Sequence, residues 1–218
     1  MPRSLLAVLV IAAAGCSSPG DPPVFRGQAD DVAAGSGAFA LYAFEADLAG
    51  GDDEDRTPLA TGELAPVDSL NSIEWDIGFR GTEVVLNGGS SGPGAGVGVV
   101  VDTPFDQVTD ALADDFFYRR DGESLCPTGP ARAVCTGAGD GWFETMALPG
   151  GGQAVVPIPG QTLLLRLGDG QGYAKVEFRS YYRGAPDVGA IDAASEPGFY
   201  TLRFAVDPDG ASFIDEEE

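Results

Sequence analysis

The residue types that usually carry chemistry are unevenly supplied in this chain. Its 218 residues include no histidine, 34 Asp and Glu, and 3 cysteines. Without imidazole, the usual general base is missing, as are Ser-His and Cys-His nucleophilic pairs and the commonest metal ligand. Carboxylates remain, and a pair of them flanking a bond can hydrolyse it. No two stand out here by spacing, so a carboxylate hydrolase is the weakest of the expected functions and the chain reads as a non-enzyme. Cys126 and Cys135 bracket a segment, Pro127 to Val134, rich in turn formers. Two thiols fall short of the four N or S ligands that structural zinc takes, so no metal site is expected. Outside the cytoplasm they can pair, and closing so short a loop contributes somewhat under ~3 kcal/mol in the chain-entropy model.

Two loops invite a chemical reading. Gly88-Gly-Ser-Ser-Gly-Pro-Gly-Ala-Gly-Val-Gly98 has the glycine density of a phosphate loop. It lacks the Gly-Lys-Ser/Thr ending and runs into a strand-like segment rather than a helix. A flexible loop or a close-packed turn is expected instead. Gly50-Gly-Asp-Asp-Glu-Asp55 lacks the spacing of a calcium loop and reads as a solvated acidic turn. The formal net charge of −22 argues against nucleic acid, whose binding needs Lys and Arg on phosphates, and against adsorption to anionic lipid. Its simplest meaning is solubility.

The N-terminus dictates where these groups work. Arg3 precedes the unbroken apolar run Leu5 to Ala14, which is too short to span a bilayer but has the length and flanks of a secretory signal. Ala13-Ala14-Gly15-Cys16 then places small residues before a cysteine, like a bacterial lipobox with Ala13 where Leu is usual. Residues 1–15 are expected to be removed and Cys16 lipidated, anchoring the protein at the outer membrane, the cell surface or a periplasmic face. An ordinary signal peptide cut nearby is the alternative. Residues 16–36, poor in large apolar groups, read as a tether, 37–214 as one folded domain, and 215–218 as an acidic tail.

Within the domain, period-2 alternation dominates. It marks Phe39 to Phe44, Trp75-Ile77-Phe79, Val84 to Leu86, Val97-Val99-Val101 and Leu163-Leu165-Leu167. It also marks Val176-Phe178-Tyr182, with Lys175, Glu177, Arg179 and Tyr181 opposite, and Leu202-Phe204-Val206. Gly- and Pro-rich turns separate these runs, including Asp207-Pro-Asp-Gly210. One helix is predicted: Thr103 as its cap, Pro104 and Asp106 in the first turn, and Phe105, Val108, Leu112 and Phe116 on one face. The expected fold is therefore all-β, mainly an antiparallel sheet or sandwich, with one or two short helices.

Three ordered stretches carry a family resemblance. They are Trp75-Asp-Ile-Gly-Phe-Arg80 followed by Asn87 to Gly94; Leu165 to Gly170 followed by Tyr173 to Tyr182; and Phe199-Tyr-Thr-Leu-Arg-Phe204 ending at Asp209-Gly210. With Trp142-Phe143 before Pro157, they resemble the HmuY family of surface lipoproteins. The resemblance implies an all-β domain at the outer membrane that takes up haem for iron acquisition and passes it to an outer-membrane receptor. Paired histidines serve as axial ligands in the founding type of site, and this chain has none, so any ligation is by another residue. The resemblance points to Met146 as haem ligand, with Tyr as a further option. Trp142, Phe143, Phe116, Phe117 and Tyr118 are the aromatic candidates for the pocket, and Arg119, Arg120 and Arg132 the propionate partners. Met146 as plain core filler is the competing reading. A surface interaction or adhesion module of the same fold, binding no haem, is the alternative function.

Overall fold

The computed structural model describes residues 24–44, 64–123, 126–208 and 210–214. The expected signal peptide, the lipidated Cys16, the acidic turn at 50–55 and the tail at 215–218 lie outside the described residues. The strands are β1 Phe25–Ala33, β2 Ala40–Ala43, β3 Ala65–Val67, β4 Ile77–Arg80, β5 Glu83–Leu86 and β6 Val97–Val101. They continue with β7 Phe143–Ala147, β8 Gln153–Pro157, β9 Thr162–Arg166, β10 Tyr173–Tyr182 and β11 Pro197–Asp207. A large sheet has the order β1-β11-β10-β9-β6, a smaller one β3-β2-β4-β5, and β7-β8 stands as a separate hairpin. These ladders are antiparallel throughout, so the fold is all-β as expected. No helix among the described residues is long and apolar enough to cross a membrane.

Alternation sorts the large sheet's side chains onto two faces. Leu163, Leu165, Val176, Phe178, Leu202, Phe204 and Val206 meet Ile77, Phe79, Val84 and Leu86 of the smaller sheet, forming the sandwich core. On the outer face, Val97, Leu164 and Ala205 are covered by Phe105, Val108, Ala111, Tyr118 and Phe213.

That covering segment is not the predicted helix. It contains two isolated 3-10 turns, Phe105–Gln107 and Asp115–Phe117, with extended backbone at Val108. Tertiary hydrogen bonds claim the groups a helix would use. The Lys175 ammonium donates to the carbonyls of Phe105 (2.9 Å) and Val108 (2.6 Å). The Ala111 N–H donates to Ala211, and the Phe213 N–H to Thr109. Phe105 and Val108 are buried, whereas Phe116 is 72% exposed, so the supposed apolar face is split. Lys175 is accordingly buried rather than solvent-facing, its charge facing two carbonyls and the ring of Phe105 at 4.3 Å.

Three further expectations need correction. The tether does not extend to residue 36, because Phe25–Ala33 pairs with β11 along its length; backbone pairing holds a strand whose side chains give little apolar signal. Trp75 does not share a face with Ile77 and Phe79. The strand begins at Ile77, and Trp75 packs with Leu41 and Val85 outside the sandwich core. Tyr181 joins Tyr182 in the core, because register shifts between Phe178, Ser180 and Tyr182 break the alternation.

The glycine-rich run is a close-packed turn built around Asn87. The wholly buried Asn87 amide donates to the carbonyls of Ser72 (3.0 Å) and Trp75 (2.6 Å) and accepts from the Gly94 N–H (3.0 Å). A Cβ at Gly94 would lie 2.4 Å from the Gly168 carbonyl and 2.6 Å from that of Asn87, so only glycine fits. Next to it, the Asp76 carboxylate accepts from Phe44 (2.9 Å) and Gly168 (2.7 Å) N–H groups. These bonds tie the smaller sheet to the β9–β10 turn.

Candidate ligand-binding site

The residues proposed for a pocket fall into three groups, the first two of them on opposite sides of the large sheet. Trp142 and Phe143 belong to the sandwich core and Tyr118 to the outer-face cluster. Trp142 is only 2% exposed and stacks on Phe178 with centroids 4.8 Å apart. Phe143 (5.0 Å), Tyr200 (5.2 Å) and Tyr181 (6.0 Å) complete the ring cluster, and the indole N–H donates to the Thr82 carbonyl at 3.1 Å. Sequence patterns found these rings singly. Their convergence depends on the bulges in β10 and on the β7–β8 hairpin crossing over, neither of which has a sequence signature.

Met146 lies on that hairpin, opposite Ala154, half-buried and packed against the core. The hairpin shares no ladder with either main sheet. Besides side-chain packing, the Val155 N–H donates to the Tyr182 hydroxyl at 3.0 Å. Beside Trp142 is a small cavity of about 10 Å³, room for about one water, lined also by Val100, Ile158, Gln161, Leu163 and Phe178. Gln161 donates to Asp102 at 2.9 Å, while its Oε1 is buried without a hydrogen-bond partner. Pockets that enclose a drug-sized ligand run to ~300–1,000 Å³, so this cavity does not fit a porphyrin with the hairpin seated.

On the outer side, Tyr118 packs near Tyr173 and its oxygen accepts from the Leu112 N–H at 3.0 Å. Burial pushes its pKa up to about 12, so it keeps its proton at neutral pH and is a poor phenolate ligand. Arg119 is exposed and turned back onto the carbonyls of Phe116 and Tyr118, with the Phe116 ring 5.5 Å beneath it. Arg120 is exposed. Phe116 and Phe117 meet edge to face at the surface.

The third group is structural. Cys126 and Cys135 form the expected disulfide, with Cα atoms 5.4 Å apart. Asp121, 1% exposed, accepts from the Leu86 N–H (3.2 Å) and the Ala133 N–H (2.7 Å), joining β5 to the disulfide loop. Arg132 donates to Ser91 at 2.9 Å and approaches Asp121 at 3.9 Å and Glu83 at 3.7 Å, so it braces this loop rather than a ligand cleft. Among the described residues, no group of three or more Cys, Asp or Glu is gathered as a metal site.

Burial raises the Asp121 pKa above its ordinary value, outweighing the hydrogen bonds from Ser91, Ala133 and Leu86 and the charge of Arg132. The folded protein therefore holds this proton more tightly than the unfolded chain. The associated stability is fully present below the unfolded carboxylate pKa of ~3.9 and is lost as pH rises through the folded value. Asp121→Asn, which cannot titrate, should lose stability at every pH because one backbone N–H then faces an amide NH₂. The deficit relative to the parent should be larger near pH ~4 than at neutral pH. Urea midpoints at the two pH values check this, and a deficit that shrinks in acid would contradict it.

No family model matches the sequence, and no curated protein matches it. Among solved structures, the chain is similar to the crystal structure of the apo HmuY analog (TFO) of Tannerella forsythia. The two are 14% identical, with a TM-score of 0.49, and the match covers 86% of this chain and 98% of that one.

Proposed function

We propose that this chain is an exported, lipid-anchored, non-catalytic binding protein of the HmuY type, which takes up haem or another tetrapyrrole in iron acquisition and hands it to an outer-membrane receptor. The sequence resemblance supports this reading, and its three stretches include β4, the β9–β10 turn with β10, and part of β11. The observation that carries it is a juxtaposition. Phe178, Tyr181 and Tyr200 on the large sheet meet Trp142 at the base of a hairpin that belongs to neither sheet and bears Met146, the chain's sole methionine beyond Met1. With the hairpin seated, these residues do not fit haem, so binding on this reading requires the hairpin to lift.

A second reading, a surface interaction module that binds no haem, is favoured by the burial of Trp142 and by the exposed Phe116–Phe117 pair on the far side of the large sheet. Titration with haem separates the two. On the first reading the Soret band sharpens, Trp142 fluorescence is quenched, and Met146→Ala weakens the band. Absence of both signals at haem concentrations on the order of micromolar selects the second.

The hairpin can be tested independently. Tyr182→Phe removes the acceptor for the Val155 N–H, a bond worth about 1 kcal/mol net. Amide exchange in β7–β8 should rise roughly fivefold, with β9 to β11 unchanged. Equal acceleration across the sheet would show that the hairpin does not open separately.

A further inference from the structure

Strand pairing defines one end of the sandwich. Phe25 at the start of β1 pairs with Val206, Val206 with Ala174, Ala174 with Leu165, and Leu165 with Gly98. The β9–β10 turn and the segment following β11 therefore lie at the end where the described chain begins. Six large apolar side chains are prominently exposed among the described residues: Leu70, Ile73, Phe116, Phe117, Val188 and Ile214, between 45% and 72%.

Five of the six map to this end. The Ile73 carbonyl lies 2.9 Å from where a Cβ on Gly168 would sit, and the Leu70 carbonyl accepts from the Trp75 indole nearby. The turn bearing Phe116 and Phe117 is fixed at the same end by Asp115 against Arg166 (3.8 Å) and by Tyr118 against Tyr173 (5.8 Å). Ile214 follows Phe213, whose carbonyl accepts from Arg26 on the second residue of β1 (2.7 Å). Val188 lies at the opposite end, in the β10–β11 connection.

Single exposed apolar residues need no explanation, but their collection at one end does. The covalent path supplies one. Cys16 precedes Phe25 by nine residues, which reach at most ~30 Å when fully extended. We infer that this end of the domain lies against the membrane, with Leu70, Ile73, Phe116, Phe117 and Ile214 entering the interfacial zone of the lipid. The inference rests on the lipid anchor of the proposed function. Arg119 and Arg120 follow the phenylalanine pair in sequence and suit the phosphate level, as basic groups beside an inserted apolar face do. A net charge of −22 selects a zwitterionic surface over an anionic one.

The test uses the full chain, exported and processed in a Gram-negative host and reconstituted on phosphatidylcholine vesicles. Tryptophan is placed singly at Ile73, Phe117 or Val188, with the emission of Trp75 and Trp142 subtracted using the parent chain. Acyl-chain-brominated phosphatidylcholine should quench the added signal at positions 73 and 117 by roughly twofold and leave position 188 unchanged. Equal quenching at all three positions, or none, in a chain that still floats with vesicles would overturn the inference and leave the anchor intact. Loss of flotation, with Cys16→Ser behaving like the parent, would remove the anchor and the inference together. A dimer in sedimentation, with position 117 shielded but not quenched by lipid, would assign the patch to a second copy and overturn it.

Discussion

Asn87→Ala should lower the unfolding free energy by about 3–5 kcal/mol, enough to unfold a marginally stable domain. The side chain is wholly buried and satisfies two carbonyls and one N–H that no other group is placed to serve. Alanine leaves the buried Trp75 carbonyl and the half-buried Ser72 carbonyl and Gly94 N–H without this partner, at ~1–3 kcal/mol for each group that water does not reach. Asp at this position keeps the acceptor for Gly94 but turns a carboxylate toward the Ser72 and Trp75 carbonyls, so it should be no better. The measurement is the urea midpoint at constant m-value. A shift worth less than about 1 kcal/mol would mean that the glycine-rich turn keeps its shape without this clamp.

The second large effect is expected at Trp142. Truncation to alanine removes the centre of a five-ring cluster and enlarges the cavity already present beside it, which limits how far the site can collapse. Buried aromatic-to-alanine changes cost ~3–5 kcal/mol, and the upper part of that range is expected here. Trp142→Phe retains most of the packing but leaves the Thr82 carbonyl without its donor, and should cost about 1–2 kcal/mol. Thermal unfolding with near-ultraviolet dichroism reads both. A Trp142→Ala protein as stable as the parent would show that the hairpin and the sheet repack around the loss, and that the cluster is more plastic than its ring contacts imply.

The sequence made some of this legible. Alternation in 163–167, 176–178 and 202–206 identifies core strands because one face of each is buried between two sheets. It fails where burial does not follow period 2. Lys175 is buried on the face opposite the sandwich core because a covering segment offers it two carbonyls, and Tyr181 turns inward at a bulge. The spacing of Phe105, Val108, Leu112 and Phe116 is helical, yet the segment is shaped by hydrogen bonds to partners some 70 to 100 residues away, beyond any local pattern. The strand β1 is nearly silent in sequence, since its ladder to β11 uses only backbone groups.

The candidate site was less legible for the same reason. Trp142, Phe143 and Met146 are close in sequence and stay close in space, whereas Tyr118 packs on the outer face of the large sheet and Arg119 pairs with Gly98 along its β6 edge. Only sheet topology could have separated them.

That same β1–β11 ladder joins the first described strand to the last, with Phe25 opposite Val206. In any chain delivered N-terminus first, whether from a ribosome or through a secretion channel, the earliest strand to emerge must wait for the latest. The large sheet cannot close its outer edge until nearly all of the polypeptide has arrived, because its pairing is so non-local. Such wiring keeps a translocating chain open until passage is almost complete, and a truncation ahead of β11 would leave β1 with no partner strand and β10 with one edge unpaired.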